Sequence, residues 1–162
     1  MGSNQFLPNL EGMGTYIRDG RAPIPKKEST SRVMRANKAK NTKPEVLLRK
    51  ALREAGLRGY RLHSKRLPGR PDIAFGKARV AIFINGCFWH RCPSCDLPLP
   101  VSNTDFWKQK FDANTARDLK KIAALEAIGW RTLTVWECQI ESELLSCLER
   151  VEKALCPTGS ER

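Results

Sequence analysis

Three cysteines and a histidine fall within one short run, Cys87-Phe88-Trp89-His90-Arg91-Cys92-Pro93-Ser94-Cys95. The spacing Cys87-x4-Cys92-x2-Cys95 brings three thiolates together, and soft donors crowded in this way suit a tetrahedral ion, most often zinc. Structural zinc takes four ligands. His90 offers one from inside the loop, and Cys138 offers another from farther along the chain. The competing reading, buried reduced thiols, fits poorly with a segment as polar as Cys92-Pro93-Ser94-Cys95. If Cys138 completes the site, His90 is free to move protons, a task suited to a neutral imidazole near pH 7. Cysteines on either side would pin Phe88 and Trp89 near a surface, where two adjacent rings can push into something flat such as a base stack. Cys147 and Cys156 have no such company and read as helix-packing residues.

A second chemistry begins at Asp72, which follows the turn Leu67-Pro68-Gly69-Arg70-Pro71 at the mouth of a strand. A carboxylate there can hold a hard divalent cation against a phosphodiester. A base such as His90 also needs an orienting carboxylate. Trp107, Lys110, Asn114 and Asp118 lie three, four and four residues apart, which puts them on one stripe of a helix. A polar helical stripe is more often just a solvated face, yet Asp118 on this one could meet His90 across the site.

The elements that must position these groups can be read from pattern. Thr42-Lys43-Pro44-Glu45 starts a helix: Thr42 caps it, Glu45 holds the capping-box position, and Pro44 is tolerated in the first turn. Leu47, Leu48, Ala51, Leu52 and Ala55 form its apolar stripe, and Gly56 ends it. Three strands follow, Tyr60 to His63, Asp72 to Phe75 and Ala78 to Ile84, with Gly76-Lys77 as a hairpin turn between the last two. The cysteine loop leaves the third strand directly. A long helix is expected from Asp105 to Ile128, then a buried strand from Trp130 to Glu137 with Cys138 at its end. A final helix from about Glu141 to Leu155 should turn Leu144, Leu148, Val151 and Leu155 inward. The fold class is therefore α/β, a single domain with a mixed sheet flanked by helices.

Charge narrows the partners. The 162 residues carry a formal net charge of +12. Residues 1–70 hold 17 Lys/Arg against 5 Asp/Glu, and the remainder is balanced at 12 of each. All of the excess thus lies in the first part of the chain, the footprint of an arm and helix that grip a polyanion. The alternative is a basic face kept for solubility. Residues 1–28 have no hydrophobic period and read as a flexible arm, residues 29–156 as the folded domain and residues 157–162 as a disordered tail. No run is long and apolar enough to span a membrane, and no continuous apolar signal segment opens the chain. Six cysteines in that setting favour reduced thiols and metal over disulfides.

Several motifs, in order, carry a resemblance. Leu67-Pro68-Gly69-Arg70-Pro71-Asp72, Phe83-Ile84-Asn85-Gly86-Cys87-Phe88-Trp89-His90, Asn114-x2-Arg117-Asp118, Gly129-Trp130-Arg131 and Val135-Trp136-Glu137-Cys138 resemble the very short patch repair (Vsr) DNA mismatch endonucleases over roughly residues 30 to 140. Met34-Arg35-Ala36 and the Thr42/Glu45 helix start fit as well. The resemblance implies a PD-(D/E)xK restriction-endonuclease-like fold. In that architecture the strand entering the cysteine loop carries a Glu-x-Lys pair, but Ile82, Phe83, Ile84 and Asn85 supply neither residue.

By the same resemblance, the substrate is double-stranded DNA with a T:G mismatch left by deamination of 5-methylcytosine, nicked 5′ to the thymine. Asp72 and the main-chain carbonyl of Ile84 would bind Mg²⁺, and His90 would be the general base, held by Asp118. Cys87, Cys92, Cys95 and Cys138 would bind structural Zn²⁺. Phe88 and Trp89 would wedge into the stack from the major groove and Met34 from the minor groove, with Lys110 and Asn114 near the mispair or its phosphates. A monomer on DNA, acting in the cytoplasm at the nucleoid and paired functionally with a cytosine-5 DNA methyltransferase, completes the expectation. Departures stand out: Asn85 replaces a histidine found in better-known members, the metal loop uses Cys92 and a shifted Cys95, and the long arm has no counterpart. The alternatives are a related restriction-type or structure-specific nuclease, and a zinc-stabilised DNA-binding module without catalysis.

Overall fold

The computed structural model describes residues 40–156. The expected arm, the Met34 wedge and the C-terminal tail lie outside the described residues. In chain order the elements are α1 (Lys43–Glu54), β1 (Tyr60–Leu62), β2 (Ile73–Phe75), β3 (Val80–Asn85), α2 (Cys87–His90), α3 (Thr104–Glu126), β4 (Arg131–Trp136), α4 (Glu137–Ser142) and α5 (Leu144–Leu155). The sheet order is β1-β2-β3-β4. β1–β2 and β2–β3 pair antiparallel, and β3–β4 pair parallel from Val80↔Arg131 to Asn85↔Trp136. A parallel neighbour needs a crossover, and α2 with α3 form it.

β3 is the hinge of the packing because it is apolar on both faces, as a covered strand must be. Val80 and Ile82 point into a core with Leu48 and Leu52 of α1, Ile73 and Phe75 of β2, Val135 of β4, Ile140 of α4, and Cys147 and Val151 of α5. The alternate residues Ala81 and Phe83 meet Leu125 on the opposite face, with Ile122, Trp130 and Leu67 closing over them. The result is a helix–sheet–helix sandwich in which α3 lies against one face alone.

Local signals explain most boundaries. Thr42 caps α1 with the reciprocal Glu45 contact of a capping box, and Gly56 follows its end at φ +76°. Gly129, also at φ +76°, reverses the chain between α3 and β4. Three expectations need correction. The cysteine loop begins as a helical turn, because Gly86 leaves β3 extended and the His90 N–H returns to the Gly86 carbonyl at 3.2 Å. The single C-terminal helix is two, broken at Glu143 with φ −138° and ψ 46°, and Cys138 lies in the first turn of the shorter one. Cys147 packs in the core as expected, whereas Cys156 caps α5 in solvent. No helix of the described residues is long and apolar enough to cross a membrane.

Candidate active site

The thiols converge from three places. Cys87 opens α2, Cys92 and Cys95 follow it, and Cys138 arrives on α4 from the end of the neighbouring strand β4. Their four Sγ atoms lie within 4.8 Å of one another. Parallel pairing of β3 with β4 makes this possible, since both strands deliver their C-terminal ends to one edge of the sheet. Backbone donors already face the sulfurs: Cys138 N–H approaches Cys87 Sγ at 3.4 Å. Burial pushes the Cys87 thiol well up. Cys92 is also penalised by burial, but N–H groups of Ser94 and Cys95 bring it below the usual thiol value. A convergent set of sulfur donors with N–H support suits zinc in chemistry and in number. His90 is not among the four.

Asp72 stands just before β2, with one oxygen tied to the next strand: Oδ2 accepts the Ile84 N–H at 2.8 Å. Burial raises its carboxyl, as does the charge of Glu45, while the Ile84 N–H, His63 and Lys121 oppose the rise. His63 stands between the two acids, with Nδ1 3.5 Å from Asp72 Oδ1 and Nε2 3.4 Å from Glu45 Oε2. That Nε2 is buried and makes no hydrogen bond among the described residues. The sequence reading missed both Glu45 and His63. Glu45 was accounted for by capping, which does not require burial, yet it is only 5% exposed. His63 looked like the end of a strand, but its φ of +45° turns it back beneath Asp72.

Across the end of β3, His90 meets α3. Its Nδ1 bonds to Oδ2 of Asp118, and the other Asp118 oxygen accepts from Lys121 Nζ at 2.9 Å. Burial would raise the Asp118 carboxyl, but the His90 and Lys121 contacts outweigh it and hold it below the usual carboxylate range. One turn earlier Asn114 Nδ2 donates to the Trp89 carbonyl at 2.9 Å, so α3 grips the turn by its backbone as well. Lys110, on the same stripe, lies 5.7 Å from the Phe106 ring centroid. Trp107 is not part of a polar face: it is buried, in a cluster with Phe88, Trp89, Phe106 and Phe111. Phe88 meets Trp89, Trp107 and Phe111 edge-on at 5.1 to 5.6 Å. Packing therefore does account for part of each ring, and both remain half-buried.

These groups surround the C-terminal end of β3. Ile84 holds Asp72, and two residues later the strand becomes the turn that carries His90. Lys121 pairs with Asp118 and is felt electrostatically at Asp72. Carboxylates, an oriented imidazole and a separate cluster of thiols are the groups that metal-assisted hydrolysis uses.

Comparison with known proteins agrees. The family model described as DNA mismatch endonuclease Vsr matches residues 23–96. The Type II nicking enzyme V.XorIIP of Xanthomonas oryzae pv. oryzae is 44% identical over 126 residues, covering 78% of this chain and 91% of that protein. The Type II nicking enzyme V.NmeAIP of Neisseria meningitidis is 44% identical over 115 residues, 71% of this chain and 81% of the relative. The DNA mismatch endonuclease Vsr of Escherichia coli is 36% identical over 145 residues, 86% of this chain and 91% of the relative. The chain belongs to the Vsr family of DNA mismatch endonucleases.

Proposed function

We propose that this endonuclease nicks duplex DNA 5′ to the thymine of a T:G mismatch, with Mg²⁺ at Asp72 and His90 as general base. The observation that carries the reading is the His90–Asp118 pair, set across the end of β3 from Asp72. With Nδ1 directed at a carboxylate, the imidazole keeps Nε2 as the proton acceptor. Asp118 needs no proton of its own, because it lies below the usual carboxylate range. It steadies the imidazolium that forms after the base has accepted a proton.

The residues present fit a hard cation. Glu45, buried, and Asp72, half-buried, lie close together; burial and then the charge of Glu45 push the Asp72 carboxyl up, and a divalent ion relieves that repulsion. N–H and C=O of one strand residue face the same neighbour. The Ile84 N–H points at Asp72, so its carbonyl opens to the same side, beyond the last β2–β3 pair. When bound, the ion supplies Lewis-acid stabilisation of charge on the phosphate. Cys87, Cys92, Cys95 and Cys138 would hold Zn²⁺, bracing the turn that bears His90, Phe88 and Trp89.

The half-buried Phe88 and Trp89 would wedge beside the mispair, where weak stacking lowers the cost of opening the step. Asn114 supports this turn, Lys110 contacts the DNA nearby, and Met34 would enter from the minor groove. The basic first part of the chain grips phosphates, so affinity should fall steeply with salt. One bound chain is enough for one asymmetric mismatch, and a cytosine-5 methyltransferase would create the need for it.

A restriction-type nickase that ignores the mismatch is the second reading, favoured by the relatives called Type II nicking enzymes. Labelled duplexes carrying T:G, T:A or C:G at one position, incubated with Mg²⁺, separate the two. A nick confined to the T:G duplex, and lost in Asp72→Ala and His90→Ala, supports the proposal. Equal cutting of paired DNA rejects it.

A further inference from the structure

β3 supplies no lysine to the acids at its end, since Ile82, Phe83, Ile84 and Asn85 stand where one was expected. A lysine reaches that place from α3. Lys121 lies three residues after Asp118, with its Nζ 2.9 Å from Asp118 Oδ1 and its side chain 27% exposed. An Asp–Lys pair at this spacing is common on solvated helices and contributes little there.

Other observations separate this pair from that background. The stem of Lys121 passes over the backbone of Gly69 so closely that a Cβ at Gly69 would lie 2.5 Å from Lys121 Cγ and 2.6 Å from its Cβ. Its ammonium stands 6.0 Å from the centroid of the Phe83 ring. Lys121 also shares a small cavity with Phe83, Asn85, Asp118, Ile122 and Thr134, and it is the one cation among those lining residues. The two Asp118 oxygens are divided between partners, one to His90 and one to Lys121.

We propose that Lys121 is a positioning residue of the nicking site: its ammonium pins Asp118 Oδ1, so that Oδ2 stays on Nδ1 of His90 and Nε2 is left as the proton acceptor. The idea rests on the nicking function proposed above. Without the ammonium, the carboxylate can rotate about its terminal bond and share its oxygens with solvent, and the imidazole loses its fixed tautomer. Asn85 cannot compensate, because an amide carries no charge.

The chain has only two histidines, so long-range ¹H–¹⁵N spectra of the full protein resolve both imidazoles, with His63→Gln assigning the pair. The variants are Lys121→Met and Lys121→Gln, neutral side chains of similar length, with Lys121→Arg keeping the charge. Circular dichroism and Tm are read on the same samples, and either neutral variant suffices if the other fails to fold. For the neutral variants we expect roughly a 10- to 100-fold loss of kcat on the T:G duplex, the size of loss seen when the hydrogen-bonding partner that orients a metal ligand is removed. KM for DNA should stay within about 2-fold, and His90 should pass from one tautomer to a mixture. Lys121→Arg should recover most of the rate. A rate within about 2-fold of wild type, or a defect in KM alone with the His90 spectrum unchanged, overturns the proposal. If the wild type nicks no T:G duplex, the functional reading fails by itself, and the His90 spectrum still decides whether Lys121 sets the tautomer.

Discussion

Gly69 has no room for a side chain because Lys121 fills the space: a Cβ there would lie 2.5 Å from Lys121 Cγ, and the residue sits at φ +69°. The turn that leads to Asp72 and the helix that carries Asp118 are thereby pressed together along the stem of Lys121. Gly69→Ala should lower stability by about 1–2 kcal/mol from the left-handed backbone alone. It should also displace Lys121, cutting nicking more than the same loss of stability at a remote site such as Gly59, also at positive φ but with open space around it. Paired Tm and single-turnover measurements on Gly69→Ala and Gly59→Ala test this.

Zinc content should be one per chain. Cys92→Ser or Cys138→Ser should abolish it and lower Tm, whereas Cys147→Ser should keep the metal and lose only core stability. Metal analysis by mass spectrometry beside thermal melts separates these outcomes. Burial disfavours the Cys87 thiolate, so binding must release protons and the affinity for zinc should fall as pH drops.

Asp72 carries a cost to stability. Its folded-state carboxyl lies above the ordinary value of 3.8, chiefly through burial. For a raised group, the favourable contribution is complete below the unfolded pKa and is lost as pH rises through the folded one. At neutral pH the ionised Asp72 therefore destabilises the metal-free fold. Asp72→Asn, which can still accept the Ile84 N–H, should raise Tm at pH 7. The gain should shrink toward pH 3, and Mg²⁺ should stabilise the wild type but not the variant. Melts across pH, with and without Mg²⁺, check the sign.

Phe88 and Trp89 should separate stability from recognition. Phe88 meets three aromatic partners but is half-buried, so Phe88→Ala should cost about 3 kcal/mol along with activity. Trp89 is held from its backbone by Asn114, a contact that Trp89→Ala retains. That variant should lose mismatch-dependent nicking more than it loses Tm. Equal losses of both in the two variants would remove the case for a wedge at Trp89.

Much of the layout was legible where one local force dominates. The capping box at Thr42 and Glu45, the apolar run of β3 and the glycine after α3 each act through neighbouring residues, and the structure keeps all three. The broken C-terminal helix was not legible, because Glu143 carries no breaking signal of its own and the interruption follows the packing of α4 and α5 against β4. The aromatic cluster was hidden for a related reason: Phe88 and Trp107 are far apart in sequence and meet only when the crossover folds back.

The sequence by itself determined the chemistry available: three clustered thiols, an acid after a glycine–proline turn, an imidazole beside two rings, and a lopsided positive charge. Spacing on a helix was enough to nominate Asp118. Only the tertiary structure decided which groups share a charge environment. Glu45 and His63 join Asp72 because the antiparallel β1–β2 pair returns the chain under α1. Lys121 joins Asp118 and His90 because α3 packs on the face of β3 that Phe83 occupies. Periodicity tells which side of an element is apolar. It carries no information about which distant polar groups will be brought within reach of one another, and the electrostatics of a site depend on those distances.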